Sequence, residues 1–279
     1  MDWAFGGIAA LLLTALYLFL IFPGRSKRTQ RAPFCGRTFA HRGLYDPEQT
    51  IPENSLAAFR RAKEHGYGVE LDVQLTQDKQ LVVFHDASLL RMTGVEGGIG
   101  ERTYAQLQQL RLCGTEERIP LFAEVMALLD GAVPVIVELK PHQDVAELSR
   151  LVLNVLRTLK GPYCVESFDP RVVRWFRKHA PDILRGQLSE GYRQWRRHWN
   201  PFLSMMMHRM WINFLTRPQF LAFGSGTRPL CWFVAKCFGC MLVHWTVRPH
   251  ESLPMFYRRY DALIFEHFLP DAAYPPPEK

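Results

Sequence analysis

Between Gly191 and His250 the chain has no aspartate and no glutamate. Arg193, Arg196, Arg197, Arg209, Arg217, Arg228, Lys236 and Arg248 stand there without an acid nearby in sequence, within a formal net charge of +7. Such a stretch excludes a cationic partner and favours an anionic one: a phosphate substrate, an acidic lipid or a nucleic acid. Cysteines are too few and too scattered for a disulfide framework (Cys35, Cys113, Cys164, Cys231, Cys237, Cys240), as in a chain kept among reduced thiols. The close pair Cys237-Phe-Gly-Cys240 has no second pair and no His-x-x-x-His to complete a zinc site, so it reads as small apolar residues at a helix end. Internal repeats and low-complexity tracts are also missing, and with 48% apolar residues the chain is no disordered polymer.

Long hydrophobic runs are absent with one exception. Trp3 to Phe22 carries no charge, and at about 1.5 Å per helical residue it reaches about 30 Å, the hydrocarbon thickness of a bilayer. No basic residue precedes it and no small-x-small cleavage site follows, so residues 1–23 are expected to be a retained transmembrane anchor rather than a signal peptide. Pro23-Gly24 ends the run, and Arg25, Lys27, Arg28, Arg31 and Arg37 follow without an acid. Residues 24–37 read as a basic linker able to lie on acidic headgroups, and the positive-inside rule expects a single-pass membrane protein with its catalytic part in the cytosol.

From Thr38 onward, short β-rich apolar runs alternate with helical patterns. Candidate strands include Thr38–His41, Val69–Leu75, Leu81–Phe84, Val133–Leu139, Tyr163–Ser167, Ile183–Gln187, Phe220–Phe223, Met241–Trp245 and Ala262–Phe265. This alternation predicts an α/β fold, a TIM-type (β/α)8 barrel over 38–273, with an open doubly wound sheet as the alternative. Residues 87–120 fit neither a single helix nor a strand and read as an insertion. Tyr192–Leu215 is too apolar for an ordinary exposed loop.

Four segments place polar groups at candidate strand ends. His41-Arg42-Gly43 supplies an imidazole for proton transfer and a guanidinium that can hold two phosphate oxygens. Glu70 and Asp72, two apart on a strand, point to one face and would repel each other unless a cation lay between them. All-oxygen ligands suit a hard cation such as Ca²⁺ or Mg²⁺. A third apolar run ends in His85, and a fourth carries Glu138 and Lys140, which are costly in a buried strand unless paired or ligated. Each segment alone has a bland reading: a solvated strand face for Glu70 and Asp72, a structural imidazole for His85. Together they form a set for phosphodiester cleavage at the C-terminal rim of a barrel.

His41-Arg42-Gly43, Pro52-Glu53-Asn54-Ser55, Glu70-x-Asp72-x-x-x-Thr76-x-Asp78, His85-Asp86, Glu138-Leu139-Lys140, Ser167-Phe168 and Trp245-Thr246-Val247 resemble the signature of the glycerophosphodiester phosphodiesterases. The resemblance implies a TIM-type barrel with an insertion after the His85 strand. It also implies Glu70, Asp72 and Glu138 as metal ligands, His41 and His85 as the acid–base pair, and Arg42 and Lys140 as phosphate-binding groups. The implied reaction is metal-dependent hydrolysis of a glycerophosphodiester to glycerol 3-phosphate and an alcohol. Two departures, Arg248 where the family tends to have Asn and Glu266 in place of an Asp-ending strand, bear on the leaving alcohol. The apolar anchor and the acid-free region raise a second reading, action on lysophospholipid or glycolipid headgroups at the membrane. An inactive membrane scaffold is disfavoured because no motif residue is missing, and a nucleic-acid binder because no binding motif is present.

Overall fold

Leu71 and Val73 pack outward and Glu70 and Asp72 inward, and that alternation along one strand organises the molecule. The computed structural model describes residues 2–197, 199–224 and 229–275. Its strands are β1 (Arg37–Ala40), β2 (Gly68–Leu75), β3 (Leu81–Val83), β4 (Val135–Leu139), β5 (Tyr163–Ser167), β6 (Arg185–Ser189), β7 (Phe220–Phe223), β8 (Met241–Val247) and β9 (Ala262–Phe265). All but β3 run parallel, each beside the next, and β1 pairs with both β2 and β9, so the sheet closes. The barrel expectation is met, and closure removes the open-sheet alternative.

The barrel floor is filled by Phe39, Ile136, Cys164, Phe220, Met241 and Ala262 among others. Two glycines make room for the rings. A Cβ on Gly68 would lie 2.4 Å from the Phe39 ring, and one on Gly186 would lie 2.1 Å from the Phe220 ring. Outward-facing Val69, Val135 and Val137 pack against helices such as Leu56–Glu64, Phe122–Leu129, Val145–Leu156 and Pro170–His179. Ser55 caps the first of these, its Oγ accepting from the Ala58 N–H at 3.1 Å, and Asp169 with Pro170 starts the last.

Three expectations need correction. Leu81–Phe84 is not a barrel strand: β3 returns antiparallel along the upper end of β2, pairing Val73 with Val83. The fifth barrel strand is Arg185–Ser189 rather than Ile183–Gln187, because Gly186 and not Ile183 faces the interior opposite Phe220. The apolar N-terminal run does form one helix, Asp2–Ile21, but no helix among the described residues is long and apolar enough to cross a membrane. Its last turn is spent on the protein. Ile21 is buried, its carbonyl accepts from Asn213 Nδ2 at 2.9 Å, and Tyr17, Phe19 and Phe22 pack on Trp211, Phe214 and Phe238. Positions 5–16 stay exposed.

The insertion expected at 87–120 consists of short helical turns around their own core of Val82, Phe84, Leu89, Met92, Ile99, Leu107, Leu112 and Ile119. The Tyr192–Leu215 stretch forms three short helices, Tyr192–Trp195, Pro201–His208 and Asn213–Thr216. Trp195, Met207 and Met210 of this stretch are buried, while Phe202 is 67% exposed. None of the six cysteines forms a disulfide.

Candidate active site

Register sets the site. Asp72 on β2 lies beside Glu138 on β4, and Glu138 beside Glu166 on β5, so three carboxylates cross adjacent strands in one row. Glu70 lies two residues below Asp72 on the same inner face. Single oxygens of Glu70, Asp72 and Glu138 come within 4.8 Å of one another. All four carboxylates are buried.

Their environment splits them. Burial raises the Glu70 carboxyl well above its ordinary value, and repulsion from Asp72, Glu138 and Glu166 adds to the rise. Burial and Glu138 do the same to Glu166. At Asp72 the cost of burial is overcome by Lys140, His85 and Arg42, which hold it below the usual range. Lys140 Nζ sits 2.8 Å from both Asp72 Oδ1 and Glu138 Oε1. Four buried carboxylates thus face two buried cations, Lys140 and Arg42. Hard oxygen donors with two positive charges wanting fit a divalent cation such as Ca²⁺ or Mg²⁺ held by Glu70, Asp72 and Glu138.

Arg42 adopts a left-handed backbone, φ 54°, uncommon outside glycine. The conformation turns its N–H toward Glu70 Oε2 at 3.1 Å, while its carbonyl accepts from Asn54 N–H at 2.8 Å. Gly43 follows at φ +82°, where a Cβ would meet Ala58 at 2.9 Å, so that position requires glycine. The Arg42 guanidinium bonds Glu53 at 2.8 Å and lies 3.5 Å from Asp72. Asn54 Nδ2 donates to Asp72 Oδ2 at 2.8 Å. Glu53 also takes a forked pair from Arg91, at 3.0 and 2.7 Å, which ties the insertion to the site.

Both histidines are backed by a carboxylate. His41 Nδ1 lies 2.8 Å from Glu266 Oε2, which also accepts from Tyr45 OH at 3.1 Å, while Arg248 Nε donates to Glu266 Oε1 at 2.9 Å. That contact places the proton on Nδ1 and leaves Nε2, 3.9 Å from Glu70, facing the site. Burial and the neighbouring Arg42 charge lower the His41 value despite Glu266. His85 Nδ1 lies 2.7 Å from Asp86 Oδ1, and Asp86 is gripped by Arg91 Nε at 2.6 Å. His85 reaches the site by an unexpected route: the β2–β3 hairpin brings the chain back down, with Phe84 N–H donating to Asp72 O at 2.9 Å.

All seven sequence-derived residues therefore converge: His41, Arg42, Glu70, His85 and Glu138 line a central pocket of ≈ 40 Å³, and Asp72 and Lys140 complete its charge network. Such a volume admits an ion and little else. Sequence reasoning missed Glu166. A carboxylate in the apolar strand Tyr-Cys-Val-Glu-Ser carries the same signal as Glu138 and could have been found by the same rule. It also read Glu266 only as a departure and left Glu53 and Asn54 without roles.

The chain is 32% identical over 165 residues to a glycerophosphodiester phosphodiesterase of Caldanaerobacter subterraneus, covering 54% of this chain and 65% of that protein. It is 32% identical over 160 residues to a lysophospholipase D of Rattus norvegicus, covering 52% of this chain and 50% of that one. The chain thus spans between half and two thirds of the length of these relatives. Its fold is that of an Oleispira antarctica phosphodiesterase solved with the product sn-glycerol-3-phosphate, with a TM-score of 0.67, 23% identity, and coverage of 83% of this chain and 93% of that one. The sequence pattern of the glycerophosphoryl diester phosphodiesterase family matches residues 41–258, the span that carries the row of carboxylates and both backed histidines, and the chain belongs to that family.

Proposed function

We propose that the protein hydrolyses glycerophosphodiesters to glycerol 3-phosphate and an alcohol. The observation that carries this reading is the convergence of three buried carboxylates with two carboxylate-backed histidines at one barrel mouth. A divalent cation on Glu70, Asp72 and Glu138 would supply charge neutralisation for the phosphate. Arg42 holds phosphate oxygens, and Lys140, ion-paired with Asp72 and Glu138, adds positive charge beside them. One histidine accepts the proton of the attacking glycerol 2-hydroxyl at Nε2, the other protonates the departing alkoxide, and water then opens the cyclic phosphate to glycerol 3-phosphate. The test is release of glycerol 3-phosphate from a panel of diesters, with and without chelator and with Ca²⁺ or Mg²⁺ restored. Turnover indifferent to chelation sinks the carboxylate–metal assignment.

A second reading, action on lysophospholipids at a membrane, is favoured by the N-terminal helix. Phe5, Ile8, Leu11, Leu12, Leu13 and Leu16 are all exposed, and an apolar surface of that extent calls for an apolar phase. The exposed turns insert into lipid while Arg25, Lys27, Arg28 and Arg31 meet acidic headgroups of the cytosolic face. The rat relative is named a lysophospholipase D.

A further inference from the structure

The insertion is seated on the run that carries His85. Val82 and Phe84, just before that histidine, share a small core with Leu89, Met92 and Ile99 of the insertion. Leu89 and Met92 are buried there on either side of Arg91, which anchors the backbone while the Arg91 side chain stays half-exposed. Its guanidinium meets two carboxylates at once. Nε and Nη2 donate to Asp86 at 2.6 and 3.0 Å, and Nη1 and Nη2 donate to Glu53 at 3.0 and 2.7 Å. Each acid serves a different residue of the site: Asp86 lies 2.7 Å from His85 Nδ1, and Glu53 accepts from Arg42 Nη1 at 2.8 Å. Burial raises the Glu53 carboxyl, but Arg91 and Arg42 outweigh it and hold the group below its ordinary value. One chain of contacts therefore runs from His85 through Asp86, Arg91 and Glu53 to Arg42.

We infer that Arg91 is a positioning residue that sets the phosphate grip of Arg42 and the orientation of His85 together, which gives the insertion a part in the reaction. The inference rests on the phosphodiesterase reading above. A planar guanidinium engages two carboxylates along two of its edges, whereas an ammonium is a point charge that fixes neither in orientation. Without Arg91, Glu53 keeps only Arg42 as a charged partner among the described residues. Its freed oxygen then draws the Arg42 guanidinium toward a forked pair and away from a phosphate. Asp86 loses its other side-chain contacts at the same time and is free to turn off His85 Nδ1, so the ring that must transfer a proton is no longer held. Removing one side chain outside the pocket therefore weakens substrate binding and slows the chemistry together.

The test uses the full chain and whichever diester of the panel above the wild type turns over fastest. Glu53→Gln should act mainly by raising KM, and Asp86→Asn mainly by lowering kcat. Arg91→Ala should do both, each by about tenfold or more. Guanidinium ion, added well below denaturing concentration, should restore both parameters of Arg91→Ala, and urea at the same concentration should restore neither. Arg91→Lys keeps the charge but not the two forks; it should show both losses with a melting temperature near wild type, and it carries the test if Arg91→Ala does not fold. A loss confined to kcat or to KM in the Arg91 variants overturns the inference. So do losses that guanidinium leaves in place in a folded Arg91→Ala, or wild-type parameters in Arg91→Lys. No turnover of any diester by the wild type refutes the phosphodiesterase reading itself.

Discussion

Glu266 shows how much of this chemistry hangs on a single side chain. Its carboxylate fixes the His41 tautomer and is itself held by Tyr45 and Arg248. Glu266→Gln should therefore lower kcat by about ten- to a hundredfold, while His41→Ala and His85→Ala each cost about 10²–10⁴ in kcat, both histidine variants remaining folded. Glu266 also carries a stability signature. Burial raises its carboxyl, but the His41 and Arg248 contacts outweigh that and bring it to about 2, below the ordinary 4.5. The unfolded chain then binds the extra proton, so this contribution is present above about pH 4.5 and is lost as pH falls toward 2. Urea unfolding followed across that window should lose stability less steeply in Glu266→Gln; an unchanged slope would contradict the assignment. Glu70→Gln should abolish any rise in melting temperature on adding Ca²⁺ or Mg²⁺. Residue by residue, the seven chemical groups were legible because each interrupts an apolar run. Glu166 interrupts one as well, yet its role needs the register that puts it beside Glu138.

At the scale of elements, the barrel floor is filled by rings that lean over glycines. Gly186→Val should destabilise the fold by roughly 1–3 kcal/mol in urea titration, since even a Cβ would meet the Phe220 ring. Helix starts are marked by local signals: Leu56–Glu64 begins on the Ser55 cap and Pro170–His179 on the Asp169 cap. Strand roles were less legible. β3 and a barrel strand of the same length look alike in sequence, since an apolar run does not encode its partner. Only pairing with β2 shows that the run descends and carries His85 into the mouth from above.

For the whole molecule, the N-terminal helix joins the barrel through its last turn and leaves the rest uncovered. Leu12→Asp combined with Leu16→Asp should release the protein from vesicles in a flotation assay, and wild-type binding should weaken with added salt if acidic lipid contributes. Retained binding by the double variant would remove the helix from that role. Length and charge in the sequence pointed to a full span, because a hydropathy run counts residues regardless of what they touch. Tyr17, Phe19, Ile21 and Phe22 are apolar for the sake of Trp211, Phe214 and Phe238 as much as for lipid. By itself the sequence determined the barrel, through alternating strand and helix periods, and the seven polar groups at its rim, through charges that an apolar strand tolerates only at a site. Tertiary structure alone decided which carboxylates stand side by side, which acid backs each histidine, how His85 arrives, and where the N-terminal helix stops belonging to the protein. Those are contacts between distant segments, and they exist only once the sheet has closed.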